Sequence, residues 1–173
     1  MKTTIAVGLA LAGILGLGVM GQGAGEKVSV KPIDAVGLKK EVAAHKGKVV
    51  IINFWATWCP PCRAEFPEMV ATQKKYATKG VDLLTLTLDD REDSAKAEAF
   101  LSQQGATTGA FINKNGGEAD LGYFQWLDGK VPDSLGIPRT YVLDRKGRIS
   151  ARLIGGQSAT AFEDAVKKAL AAK

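Results

Sequence analysis

The run Val49-Val50-Ile51-Ile52-Asn53-Phe54-Trp55 leads, three residues later, into Cys59-Pro60-Pro61-Cys62. A nearly unbroken β-branched and aromatic run suits a strand buried on both faces. Two consecutive prolines enter a helix only in its first turn, where N–H groups lack intrahelical partners. The segment therefore reads as central strand, cysteine, helix. Any fold for this chain must hold both cysteines where a buried strand passes into a helix N-terminus.

Periodicity and breakers place the other elements around this one. Val28 to Val30 is predicted as a short strand, followed by a helix capped by Asp34, carrying Val36, Leu38, Val42 and Ala43 and ending at Gly47. The cysteine helix is expected from about Pro60 to Lys79. A second buried strand, Val81 to Leu88, is ended by Asp89-Asp90, and a helix follows from Glu92 to Gln104. Between Ala106 and Gly136 the pattern weakens to a short strand at Ala110 to Ile112 and a short helix near Glu118 to Leu127. Thr140 to Leu143, a turn at Asp144-Arg145-Lys146-Gly147, and Arg148 to Ile154 read as a hairpin. Ala159 to Ala172 closes the chain as an amphipathic helix with Phe162, Val166 and Leu170 on one face. Strands alternating with helices predict an α/β fold with a mixed central β-sheet flanked by helices.

Residues 1–25 read differently. Lys2 precedes an uncharged run from Ile5 to Met20, small residues follow, and Glu26 is the first acid. That is the layout of a secretory signal peptide. The competing reading is an uncleaved anchor, since Ile5 to Ala24 reaches the roughly 20 residues that cross a bilayer. Both readings place the remainder, 26–173, outside the cytoplasm as one domain.

Only two cysteines occur in the chain, and they sit three apart. A bridge between them closes almost no loop and contributes little stability, so an exported chain with this pair alone points to exchange chemistry. The helix N-terminus favours the thiolate of Cys59, and Cys62, one turn further in, is more shielded. Cys59 is thus the expected nucleophile and Cys62 the resolving thiol. With no second cysteine pair and His45 as the only histidine, no metal site is expected, and His45 reads as a surface residue at a helix end. No cofactor is expected beyond the redox-active Cys59–Cys62 disulfide. Glu65, three residues after Cys62, lies on a neighbouring part of the same helix face. A partly buried acid there would have a raised pKa and could pass protons to or from Cys62.

The segment Asn53 to Pro67, with Trp58-Cys59-Pro60-Pro61-Cys62-Arg63-Ala64-Glu65-Phe66-Pro67, resembles the active-site region of the TlpA/ResA group of thioredoxin-like proteins. Gly136-Ile137-Pro138-Arg139-Thr140-Tyr141-Val142-Leu143 resembles the group's second motif. The resemblance implies a thioredoxin-like fold, with residues 106–136 as the group's insertion. It implies a cis bond before Pro138, facing the cysteines, with substrate backbone docking alongside at Ile137, Trp58, Pro60 and Pro61. It also implies that a glutamate at position 65 tunes the cysteine pair, and Asn53 stands where cytosolic thioredoxins carry a buried aspartate. Phe111, Tyr123, Phe124, Trp126 and Leu127 are open to two readings, a recognition surface or the insertion's own core.

The activity so implied is thiol–disulfide exchange with protein partners in the periplasm or on the outer face of the cytoplasmic membrane. The group favours reduction, as in cytochrome c maturation, with a membrane thiol donor restoring the pair. A copper chaperone is the rival from another class, but it would need a histidine downstream of the cysteines. A peroxiredoxin-like peroxidase would need its cysteine in a different local setting. The formal net charge of +5 comes from cations interspersed with acids along the chain. This reads as a mixed surface rather than a nucleic-acid footprint, and any membrane contact is expected only through the N-terminal segment.

Overall fold

The Val49–Trp55 run forms the strand that its composition predicts, and the rest of the fold is arranged around it. A computed structural model describes residues 27–106, 108–116 and 120–173. The strands are β1 (Lys31–Ile33), β2 (Val49–Trp55), β3 (Val81–Thr87), β4 (Gly109–Asn113), β5 (Arg139–Leu143) and β6 (Ile149–Ile154). The helices are α1 (Ala35–Ala44), α2 (Pro60–Tyr76), α3 (Ser94–Gln104), α4 (Gly122–Asp128) and α5 (Ala159–Ala171). Single 3-10 turns extend α2 through Ala77–Lys79 and lead into α3 from Arg91–Asp93.

The strands form one mixed sheet in the order β1-β4-β3-β2-β5-β6. β2 runs parallel to β3 and antiparallel to β5, pairing Phe54 with Arg139 at its C-terminal end. The C-terminal end of β2 and the start of β5 therefore lie side by side at one end of the sheet. That register brings the cysteines, which follow β2, beside Pro138, which precedes β5.

Alternation along β2 divides the interior into two cores. Val49, Ile51 and Trp55 face a layer holding Phe66 and Met69 of α2, Leu101 of α3 and Phe162 and Val166 of α5. Val50, Ile52 and Phe54 face Leu38 and Val42 of α1, Tyr123, Phe124 and Leu127 of α4, and Tyr141. Asn53 belongs to the first row, which points it at α2 and away from solvent.

Several expectations shift. The first strand is Lys31–Ile33, not Val28 to Val30; those valines are buried, but their N–H groups bond the Ser102 hydroxyl (3.0 Å) and the Glu98 carboxylate (3.0 Å) of α3. Val36 is 65% exposed, because α1 buries Leu38 and Val42 instead. His45 is not a free surface residue: it caps α1 and meets the Asp82 carboxylate at 2.6 Å, half-buried. The α4 helix starts at Gly122, later than predicted, and Glu118 lies outside the described residues.

The aromatic residues of the insertion are settled as core. Phe111, Tyr123, Phe124 and Leu127 are buried, and Phe54 packs against Tyr123 and Phe124 with ring centroids 5.6 and 5.0 Å apart. The Tyr123 hydroxyl donates to the Ile33 carbonyl at 2.6 Å, tying α4 to β1. Only Trp126 is part-exposed. The signal-peptide or anchor segment expected at residues 1–25 lies outside the described residues.

Candidate active site

The site is assembled from the end of β2, the first turn of α2, the residues before β5 and the loop between β6 and α5. Cys59 is the N-cap of α2, with extended backbone, and Pro60 and Pro61 fill the next two positions. Neither proline carries an N–H, so the first turn keeps few donors. The Cys62 N–H points back at Cys59 Sγ, 3.3 Å away, and the Arg63 N–H donates to the Cys59 carbonyl at 3.2 Å. A negative charge on Cys59 Sγ would meet the Cys62 N–H and the positive end of the helix dipole.

The two cysteines are joined as a disulfide, with Cα atoms 5.3 Å apart. Cys59 is 4% exposed and Cys62 is fully buried. Around Cys59 the surface is apolar: Trp58 is 64% exposed, and Pro60 and Pro61 are exposed. The Ile137–Pro138 bond is cis, and the Ile137 carbonyl oxygen lies 3.8 Å from Cys59 Sγ. The Gly155 N–H donates to the Pro138 carbonyl at 2.9 Å, which holds the loop after β6 against this turn. An incoming chain would find apolar side chains and the Ile137–Pro138 turn grouped around one sulfur.

Glu65 lies beneath the pair, 3% exposed. Its carboxylate accepts from Asn53 Nδ2 at 3.2 Å and from the Gln157 N–H at 2.9 Å. Asn53 Nδ2 also donates to Thr140 Oγ1 at 2.9 Å, across the β2–β5 pair. Burial pushes the Glu65 carboxyl up to about 7, against the pull of these two hydrogen bonds. An acid with that pKa exchanges protons near neutral pH.

A second buried acid stabilises the approach to the cysteines. Asp89 is fully buried and accepts from the Thr57 N–H (3.0 Å), the Thr57 hydroxyl (2.7 Å) and the Thr87 hydroxyl. It fastens the turn between β2 and α2 to the end of β3. On the other side, Arg139 pairs with Asp128 at 3.0 Å and lies over the Phe124 ring, anchoring α4 next to Pro138.

The structure thus gathers Cys59, Cys62, Trp58, Pro60, Pro61, Ile137 and Pro138 in one place, with Glu65 below. Gln157 and Thr140 had no sequence signal as site residues, since one acts through its backbone and the other lies opposite Asn53 only by sheet register. In the sequence Asp89 marks only the end of a strand.

Comparison with known proteins agrees with this geometry. The family model described as Redoxin matches residues 30–170. The thiol-disulfide oxidoreductase ResA of Bacillus anthracis is 33% identical over 135 residues, covering 78% of this chain and 71% of that protein. The thiol:disulfide interchange protein HelX of Rhodobacter capsulatus is 31% identical, over 74% of this chain and 64% of its own. Among solved structures, a thiol:disulfide interchange protein of the thioredoxin family from Chlorobium tepidum TLS superposes with a TM-score of 0.61. It shows 32% identity and covers 74% of this chain and 83% of its own.

Proposed function

This chain belongs to the redoxin family and is a thiol–disulfide oxidoreductase of the ResA type, and on that premise we propose that it reduces disulfides of protein partners outside the cytoplasm. The observation that carries the reading is a helix-capping cysteine, bonded to its partner, beside a cis-proline turn and above a buried acid.

In the reduced enzyme the Cys59 thiolate attacks one sulfur of a substrate disulfide. A Cys59–substrate bond forms, and the displaced substrate sulfur leaves as a thiolate that takes up a proton. Cys62 then loses its proton, with Glu65 as the acceptor, and attacks Cys59 Sγ. The second substrate sulfur departs, and the Cys59–Cys62 disulfide remains. Two electrons have passed from the pair to the substrate. Ile137 and Pro138 hold the substrate backbone, and Trp58, Pro60 and Pro61 supply the apolar rim. No cofactor enters beyond the cysteine pair itself.

A thiol donor in the membrane restores the dithiol, and the substrates are protein thiols or disulfides such as those handled in cytochrome c maturation. The signal-like segment at residues 1–25 supports an exported domain, cleaved free or anchored. No helix among the described residues is long and apolar enough to cross a membrane.

Insulin reduction tests the activity. Turnover by the intact protein, abolished by Cys59→Ser, supports disulfide exchange. Copper binding without any reductase activity would overturn it.

A further inference from the structure

The cysteines occupy one end of the sheet, and positive charge gathers at the other. There α1 and α5 end, β2 and β3 begin, and β5 turns into β6. Hydrogen bonds fix the meeting of these segments. The Gly47 N–H donates to the Arg145 carbonyl at 3.1 Å, and the Arg145 guanidinium donates to the carbonyls of Lys79 (2.9 Å) and Leu170 (3.1 Å). Arg148 likewise reaches the Lys173 carbonyl at 2.9 Å. Turns far apart in sequence thereby bring Lys46, Lys48, Lys79, Arg145, Lys146 and Lys173 to one pole.

Much of that charge is uncompensated. Asp82 is occupied by Lys48 and His45, and Asp144 by Arg148, whereas Lys39, Lys46 and Lys146 have no acidic partner among the described residues. Toward the cysteine end, the segment after β3 carries Asp89, Asp90, Glu92 and Asp93, with Arg91 beside them and Lys96 paired to Asp93 at 2.7 Å.

Two more observations fall on the cationic pole. A cavity of about 280 Å³ opens there, floored by Val42, Val50 and Trp126 and rimmed by Lys39, Lys46 and Lys146. A part-exposed indole among cations suits a boundary between water and an apolar phase. The chain also enters the described fold at this pole. Val28 is bonded to Ser102 near the end of α3 and Val30 to Glu98 one turn earlier, after which β1 runs parallel to β4 toward the cysteine end. Residues 1–26, with their uncharged run, therefore join the domain on its cationic side.

We propose that this pole docks on an anionic phospholipid surface and holds Cys59 facing away from the bilayer. The seven residues of β2 separate the two ends by roughly 23 Å at about 3.3 Å per residue, and Cys59 lies beyond the far end of that strand. The proposal is independent of the disulfide chemistry, so either can fail alone.

Flotation of the full-length protein tests it, with vesicles of phosphatidylcholine alone and of equal parts phosphatidylcholine and phosphatidylglycerol. The uncharged N-terminal run partitions into both, so the ratio of the two partition coefficients isolates the charge-dependent part. A ratio on the order of a hundred, falling as salt is added, is expected. Lys146→Gln should lower the ratio about fivefold, and Lys39→Gln, Lys46→Gln and Lys79→Gln added to it should bring it close to one. An unchanged urea-unfolding midpoint in the combined variant establishes that it is folded. Arg91→Gln, at the cysteine end, should leave the ratio as it was. Equal partition into both vesicles overturns the proposal, as does an equal loss of the ratio with Arg91→Gln.

Discussion

Replacing Glu65 by Gln separates the energetic cost of a buried acid from its use. The Glu65 carboxyl is raised from 4.5 to about 7, with burial as the main cause. Because the folded-state pKa lies above the unfolded one, the folded protein holds more protons between these values, and stability falls as pH rises through that window. The cost is absent below pH 4.5 and fully present above about pH 7. At about 1.36 kcal/mol per unit, it amounts to roughly 3 kcal/mol. Gln removes the charge but cannot reproduce both acceptors, and losing the bond from the Gln157 N–H costs about 1 kcal/mol. Glu65→Gln should therefore be about 2 kcal/mol more stable than the parent at about pH 8, and no more stable at about pH 4. Urea unfolding at both pH values, read by tryptophan fluorescence, measures the difference. A variant less stable than the parent at the higher pH, or a gain equal at both, would refute the reasoning. Insulin turnover should fall by about a hundredfold, the range expected for a lost proton-transfer group.

The remaining predictions concern the insertion, the redox pair and the buried aspartate. Tyr123→Phe removes one of two donors to the Ile33 carbonyl, which keeps the Lys114 N–H at 2.8 Å, and should cost about 0.5–1.5 kcal/mol, seen in urea unfolding, with insulin turnover unchanged. The reduction potential of the Cys59–Cys62 pair, from glutathione equilibration, should lie near about −270 mV rather than about −120 mV if the enzyme is a reductase. Asp89→Asn keeps the size but weakens three charge-assisted bonds, and should destabilise by about 2 kcal/mol in the same assay.

Local chemistry made most of this fold legible from the sequence. The Val49–Trp55 run suits a buried strand and Pro60-Pro61 the opening of a helix, so the residue order alone puts Cys59 and Cys62 where one passes into the other. The helical segments that end at Lys79 and Gln104 are closed by Gly80 and Gly105, both with left-handed backbone. Register was harder. Which residues near position 30 pair depends on β4, in a segment whose own pattern is weak. The partners of Glu65 were hidden for a similar reason: Thr140 is set opposite Asn53 by β2–β5 pairing, and Gln157 contributes only its N–H. Charge misled differently. Lysines spread evenly along the chain converge in space, because the turns that carry them meet at Arg145.

The central claim is that Cys59 attacks and Cys62 resolves. Cys62→Ser, reduced and mixed with a disulfide-bearing protein substrate, should accumulate a mixed disulfide that mass spectrometry maps to Cys59. Cys59→Ser under the same conditions should trap almost none, since Cys62 is fully buried. Trapping mainly through Cys62 would contradict the account.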